Sequence, residues 1–144
     1  MSHSLCEKTA LRLIARAEQS VNGLTLKLEK RKFGSNCINE VVSRLIETGL
    51  LNDERFAQLW LESHLRLTRS PRRLLVSLCT RGIEREIAEA AIKDVFDEDT
   101  EFDMLTRFVK KYSRKKKLSD TQSVKFMLRN EGFSPLVIKR YLSD

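Results

Sequence analysis

Laid on itself at an offset of 50 residues, the sequence puts Leu24, Leu74 and Val124 in register, and then Leu28, Leu78 and Leu128. The same shift aligns Phe33, Ile83 and Phe133, and Gly82 with Gly132. A fixed period of this size marks a repeat architecture, in which one supersecondary unit recurs along the chain. Each of these apolar positions is followed by an amphipathic stretch, beginning near Ile38, Ile87 and Val137. Each is preceded by a longer one, carrying Ala10, Leu11 and Ile14, then Phe56 and Trp60, then Phe102, Leu105 and Val109. The expected fold is therefore all-α: three tandem three-helix repeats, residues 1–50, 51–98 and 99–144, in an elongated, bent array.

Local chemistry agrees best in the middle copy. Asn52 is a good N-cap, and Asp53 and Glu54 place negative charge in a first turn, where the helix dipole favours it. Phe56, Leu59, Trp60, Ser63 and Leu67 then recur at helical spacing. Ser70 caps a second helix with Pro71 at its first position, where a missing N–H costs nothing. Leu74, Leu75 and Leu78 form its stripe, and Gly82 falls where a C-terminal cap needs a left-handed residue, with Ile83 folding back. The third helix, Glu84 to Phe96, turns Ile87, Ala91 and Val95 inward.

In the first copy, residues 1–20 carry a helix with Leu11, Ile14 and Ala17 inward, broken by Asn22–Gly23. A short helix from Leu24 to Phe33 follows. Lys32 stands where the other copies have glycine; a left-handed conformation there carries strain of roughly 1 kcal/mol, unless Gly34 moves the cap. Asn36 or Ser35 opens the third helix, with Ile38, Val41, Val42, Leu45 and Ile46 on one face. In the last copy a helix runs from Asp99 through Tyr112, and Ser113 to Lys117 is its frayed end or a loop. Ser119 caps the next helix, Gly132 ends it, and Ser134–Pro135 repeats the Ser70–Pro71 device.

Composition excludes more than it assigns. Charged residues make up 33% of the chain and hydrophobic ones 41%, which suits small bundles with a high surface-to-volume ratio. Cys6, Cys37 and Cys79 are widely spaced, no CxxC occurs, and His3 and His64 do not join them in a zinc pattern, so reduced thiols and no metal are expected. No secretory leader or membrane-length apolar run is present, which points to a cytoplasmic protein with no membrane partner. No Ser or Cys pairs with a His as a nucleophile would require, and none of the five glycines forms a phosphate loop. The expectation is a non-enzyme without a cofactor.

Charge points instead to binding. The net charge of +7 divides as +3 over residues 1–50, −2 over 51–100 and +6 over 101–144. Arg66, Arg69, Arg72 and Arg73 bracket the central Ser–Pro junction. Lys111, Arg114, Lys115, Lys116 and Lys117 precede the corresponding junction of the last copy, and Lys30, Arg31 and Lys32 end a helix in the first. Repeated junctions facing one way would make a basic stripe suited to phosphates. Only Phe108 and Tyr112 are aromatic near the last run, and both fit a core stripe, so backbone contact is expected rather than base stacking.

At GLLNDERFA…SPRRLLVSLCTRGIEREIAEAAI the sequence resembles the RecX family, regulators of the RecA recombinase. ALRLIARAEQS near the start is similar to that family's opening pattern, and VKFMLRNEGFSPLVIKRYL to its final repeat, so nearly the whole chain is covered. The resemblance implies a modulator of RecA–DNA filaments that restrains recombinase, ATPase and coprotease activities. Its implied partners are RecA and single- or double-stranded DNA, contacted without sequence preference by a monomer. Arg72 and Arg73 are the first candidates for that contact, because Ser70–Pro71 sets their direction. The apolar stripes are expected to serve the core only. The rival reading is a free-standing helix-turn-helix protein that reads DNA without RecA, since the Gly82 and Gly132 turns also fit that motif.

Overall fold

The computed structural model describes residues 3–115 and 120–143, the side chains of Arg114 and Lys115 excepted. Among the described residues there are nine helices and no strand. The first triplet is α1 (His3–Arg16), α2 (Val21–Lys30) and α3 (Ser35–Glu47). The second is α4 (Asp53–His64), α5 (Pro71–Thr80) and α6 (Arg85–Val95), and the third α7 (Glu98–Lys115), α8 (Thr121–Glu131) and α9 (Pro135–Ser143). The chain is thus three tandem three-helix repeats, and every extensive helix–helix packing lies inside one triplet.

Each triplet has its own core. Cys6, Ala10, Leu13, Leu24, Leu28, Ile38, Val41 and Leu45 fill the first, which Leu51 closes by donating its N–H to the Leu45 carbonyl (3.1 Å). Ala57, Leu61, Leu74, Leu78, Ala88 and Ala91 fill the second, and Met104, Leu105, Val109, Leu128, Val137 and Ile138 the third. Phe96 packs against both the second and third clusters. Three free cysteines are distributed between the first two triplets, and burial raises the Cys6 thiol above its ordinary range, helped by nearby Cys37.

Caps form where the sequence supplies them, with instructive exceptions. Asn52 and Ser70 accept hydrogen bonds from the N–H groups of Arg55 and Arg73, as their residue types predict. Gly82 (φ +89°) and Gly132 (φ +108°) are left-handed, and Ile83 and Phe133 donate to Leu78 and Leu128 across the turn. Lys32 is left-handed as well (φ +67°), so Gly34 does not relieve it and instead precedes α3 in extended conformation. Asn22–Gly23 does not break a helix: it lies in the first turn of α2, which Ser20 caps. The break comes earlier, where the buried Gln19 side chain donates to the Leu13 and Ala17 carbonyls. Asp120, not Ser119, caps α8; Ser119 lies outside the described residues. Ser134 precedes Pro135 as Ser70 does Pro71, but both its N–H and its hydroxyl donate to the Glu101 carboxylate. Helix α7 continues through Ser113 to Lys115 rather than fraying at Tyr112.

The inward faces of the first helices also differ from the periodicity. In α1 the buried residues are Cys6, Ala10 and Leu13, while Leu11 and, just beyond the helix, Ala17 are exposed. In α4 they are Ala57 and Leu61, flanked by half-buried Phe56 and Trp60, while Leu59, Ser63 and, beyond the helix, Leu67 are exposed. Small alanines let the neighbouring helix approach closely, so the contact line runs over them and the larger side chains flank it. Ile46, expected inward on α3, is 48% exposed.

A candidate polyanion-binding groove at the joints between triplets

The triplets meet through the ends of their second helices. At the first joint the C-terminal end of α5 abuts the start of α2, where the Asn22 amide donates to the Arg81 carbonyl (3.2 Å). A β-carbon at Gly82 would lie 2.5–2.6 Å from Asn22. Around this contact Asp53 accepts the Val21 N–H (2.8 Å) and Arg55 pairs with Glu18 (2.7 Å). At the second joint the end of α8 abuts the start of α5 in the same way. The Ser70 hydroxyl donates to the Glu131 carbonyl (2.8 Å), and a β-carbon at Gly132 would lie 2.9 Å from both Ser70 Oγ and Arg72 Cβ. Arg107 of α7 adds a bond to the Leu65 carbonyl (3.0 Å). Helices α8, α5 and α2 therefore follow one another end to end as a column.

Burial raises the Asp53 carboxyl above its ordinary range, more than the Val21 N–H lowers it, with nearby Glu54 adding to the rise. Asp97 and Asp120 are held below that range by the N–H groups of Thr100 and Ser123, which their carboxylates accept at helix starts.

Each joint leaves a groove. The second, of about 570 Å³, is lined by Thr68, Arg69, Arg72, Arg73, Val76, Ser77, Asn130 and Glu131. Shifting each number by 50 gives Glu18, Gln19, Asn22, Gly23, Leu26, Lys27, Thr80 and Arg81, and every one of these lines the first groove, of about 430 Å³. Ser20, Phe56 and Trp60 complete that first groove. One joint geometry is thus built twice, from different side chains.

Those differences decide the chemistry. In the second groove Arg73 pairs with Glu131 (2.6 Å), which removes it as a free cation and offsets one of three guanidinium charges. Arg69 and Arg72 are exposed and, among the described residues, make no side-chain hydrogen bond or ion pair, as is also true of Arg66 just upstream. Two unpaired guanidiniums sharing one concavity suit an anion with several oxygen acceptors. In the first groove Lys27 bonds Gln19 (2.8 Å), and Arg81 lies over Trp60, 5.2 Å from the ring centroid. His64 stacks on Trp60 (centroids 3.8 Å apart) with its Nδ1 at the Trp60 carbonyl, so its ring is occupied in packing.

The remaining basic candidates are not gathered here. Lys30 and Arg31 are exposed at the far end of α2, up to about 30 Å from Arg72 at the rise of two ten-residue helices. Lys111 is exposed on α7. Arg114 and Lys115 are helical with their side chains outside the described residues, and Lys116 and Lys117 lie outside them altogether. Sequence patterning missed Glu131 and Asn130, whose place in the groove depends on α8 meeting α5; the offset of 50 held the clue. Among the described residues no cluster of His, Cys, Asp and Glu is arranged to hold a metal, and no helix is long and apolar enough to cross a membrane.

The profile of the second three-helix domain of RecX matches residues 52–92. The regulatory protein RecX of Treponema pallidum (strain Nichols) is 33% identical over 138 residues, covering 95% of this chain and 83% of that protein. That of Mycobacterium sp. (strain KMS) is 31% identical over 143 residues, or 99% of this chain and 70% of that protein. The crystal structure of RecX from Lactobacillus salivarius matches with a TM-score of 0.84 over 98% of this chain and 94% of that one; at 19% identity this is a likeness of fold.

Proposed function

The chain belongs to the RecX family of regulatory proteins, and from that premise we propose that it binds RecA–DNA filaments and restrains their recombinase, ATPase and coprotease activities. It does so without catalysis of its own, as a monomer in the cytoplasm. The observation that carries the polyanion part of this reading is the second-joint groove, where Arg69 and Arg72 stand unpaired beside an already neutralised Arg73. Such a groove takes phosphate oxygens of the DNA backbone and reads no sequence. The exposed cations Arg66, Lys30, Arg31 and Lys111 add attraction at longer range, and the run Arg114 to Lys117 adds further positive charge.

The rival reading, independent sequence-specific binding by one triplet, is disfavoured by charge and by packing. The exposed face of α6, the third helix of the central triplet, carries Glu86, Glu89 and Asp94 against Arg85 and Lys93, with Arg85 paired to Glu89, so it offers phosphates no surplus of cations. Both ends of α5 are occupied by neighbouring triplets and cannot enter a major groove end-on.

The test is the rate of DNA-dependent ATP hydrolysis by the cognate RecA as the chain is titrated in. Inhibition at substoichiometric ratios is expected, with R69A/R72A needing more protein and lowering the salt slope of DNA binding by about 2, roughly 1 per lost phosphate contact. No effect on hydrolysis, with DNA binding intact, overturns the RecA reading in favour of independent DNA binding.

A further inference from the structure

Among the described residues ten large hydrophobic side chains are substantially exposed, and single exposed apolar residues need no explanation. Three of them are different in kind. Leu26, Val76 and Phe126 are 50%, 58% and 74% exposed, and they are separated by 50 residues each. Among the described residues no other position is large, apolar and exposed in all three repeats. The mates of Leu11, Leu59 and Ile46, for example, are buried Leu61, buried Val109 and half-buried Phe96.

The three residues occupy one position on α2, α5 and α8, the helices that the joints stack into a column. Because the same joint is built twice, the step from Leu26 to Val76 is repeated from Val76 to Phe126. Leu26 lines the first groove and Val76 the second. Their neighbours three and four residues along the helix surface include, besides Arg72 and Arg73 of the second groove, the exposed cations Lys30 and Arg129 and one acid, Glu29. The column therefore presents apolar knobs at a regular interval, among side chains in which cations outnumber acids.

We propose that this column is a protein-docking face whose occupant is an acidic protein surface with shallow apolar sockets. Within the proposed function, on which this inference rests, that occupant is the recombinase, while Arg69 and Arg72 in the second-joint groove are left to its DNA. Phe126 can stack on a base, but Leu26 and Val76 at the equivalent position cannot, so stacking is not what the repeated position shares, and phosphates gain nothing from an alkyl group set among the cations that hold them. A lipid surface is a poor fit, since one apolar residue per helix is far short of the continuous apolar face that interfacial helices bury. An acidic protein rim satisfies the cations, while its sockets take the knobs, the usual division between the centre and edge of a protein interface.

The experiment compares the wild-type chain with L26S/F126S on two targets: cognate RecA assembled on a labelled single strand, and the same strand bare. Val76 is kept, because it lines the groove proposed to take phosphates. Both substituted positions are exposed, so circular dichroism and thermal midpoint are expected to match wild type. Filament affinity is expected to fall on the order of tenfold, several-fold per knob, with bare-strand affinity unchanged. Unchanged filament binding by the double variant overturns the inference, as does any fall on the bare strand, which would make nucleic acid the occupant. Wild type forming dimers that the variant does not would overturn it in favour of a second copy. Failure of the wild-type chain itself to bind the filament overturns the proposed function and this inference together, and is told apart by appearing before any substitution is made.

Discussion

Positions 32, 82 and 132 are equivalent, all left-handed, and occupied by Lys, Gly and Gly. The fold says why they differ. Residues 82 and 132 face the next triplet, where a β-carbon would meet Asn22 at 2.5 Å or Ser70 and Arg72 at 2.9 Å. Residue 32 is exposed, and among the described residues no hydrogen bond joins that end of α2 to another triplet. Two terms therefore separate. Replacing a left-handed L-residue by glycine relieves about 1–2 kcal/mol of backbone strain, less about 0.5–1 for glycine's greater unfolded freedom. K32G is accordingly expected to stabilise by about 0.5–1 kcal/mol. G82A carries the reverse of that term plus overpacking of about 1–3 kcal/mol, for a loss of about 2–4 kcal/mol. Urea unfolding followed by circular dichroism measures both. Trp60, the sole tryptophan, lines the first groove and reports on that joint by fluorescence. G82A is expected to shift Trp60 emission at low urea, before helix is lost, and G132A to leave it in place. A G82A loss no larger than the K32G gain, with Trp60 undisturbed, would refute the idea that the joint closes on residue 82.

Two further outcomes follow from the joints. R73M leaves the Glu131 carboxylate, 16% exposed, without its cation and is expected to cost about 1–2 kcal/mol, with E131Q costing less. A double-mutant cycle checks the pairing, and additive losses would show that the contact does not couple the triplets. Burial raises Asp53 in the folded chain, so its contribution to stability is full below its ordinary value of 3.8 and is lost as pH rises through the higher folded value. Asp97 and Asp120 act in the opposite sense, contributing above 3.8 and losing that contribution as pH falls through their lowered values. D53N is expected to gain on wild type as pH rises above 3.8, measured by urea midpoints at stepped pH; a constant difference would exclude a titrating Asp53.

The repeat, the all-helical character and most helix ends were legible in the residues themselves. They depend on interactions within a few positions: Asn52 and Ser70 capping their own first turns, Gly82 and Gly132 turning their own helices, and apolar residues recurring every three or four. Even the oddity of Lys32 was visible as a left-handed site without glycine. The inward faces of α1 and α4 were less legible, because periodicity weighs the large side chains Leu11 and Leu59 above the alanines over which helices actually approach. The role of Asn22–Gly23 was misplaced for a related reason: the pair favours turns, but Ser20 offers a cap just before it, and Gln19 closes α1.

What no local pattern contains is the meeting of helices from different triplets. Arg73 reads from sequence as a free cation beside Arg72, and only the approach of α8 pairs it with Glu131 and leaves Arg69 and Arg72 as the available charges. Leu26, Val76 and Phe126 read as ordinary members of amphipathic helices until the joints set them, all exposed, at one repeated position on successive helices. Short-range propensities determined the units, since each cap and stripe is satisfied within its own triplet. The surface was decided by the joints, where polar contacts between residues some 60 positions apart, Asn22 with Arg81 and Ser70 with Glu131, set which side chains are used up and which remain to bind.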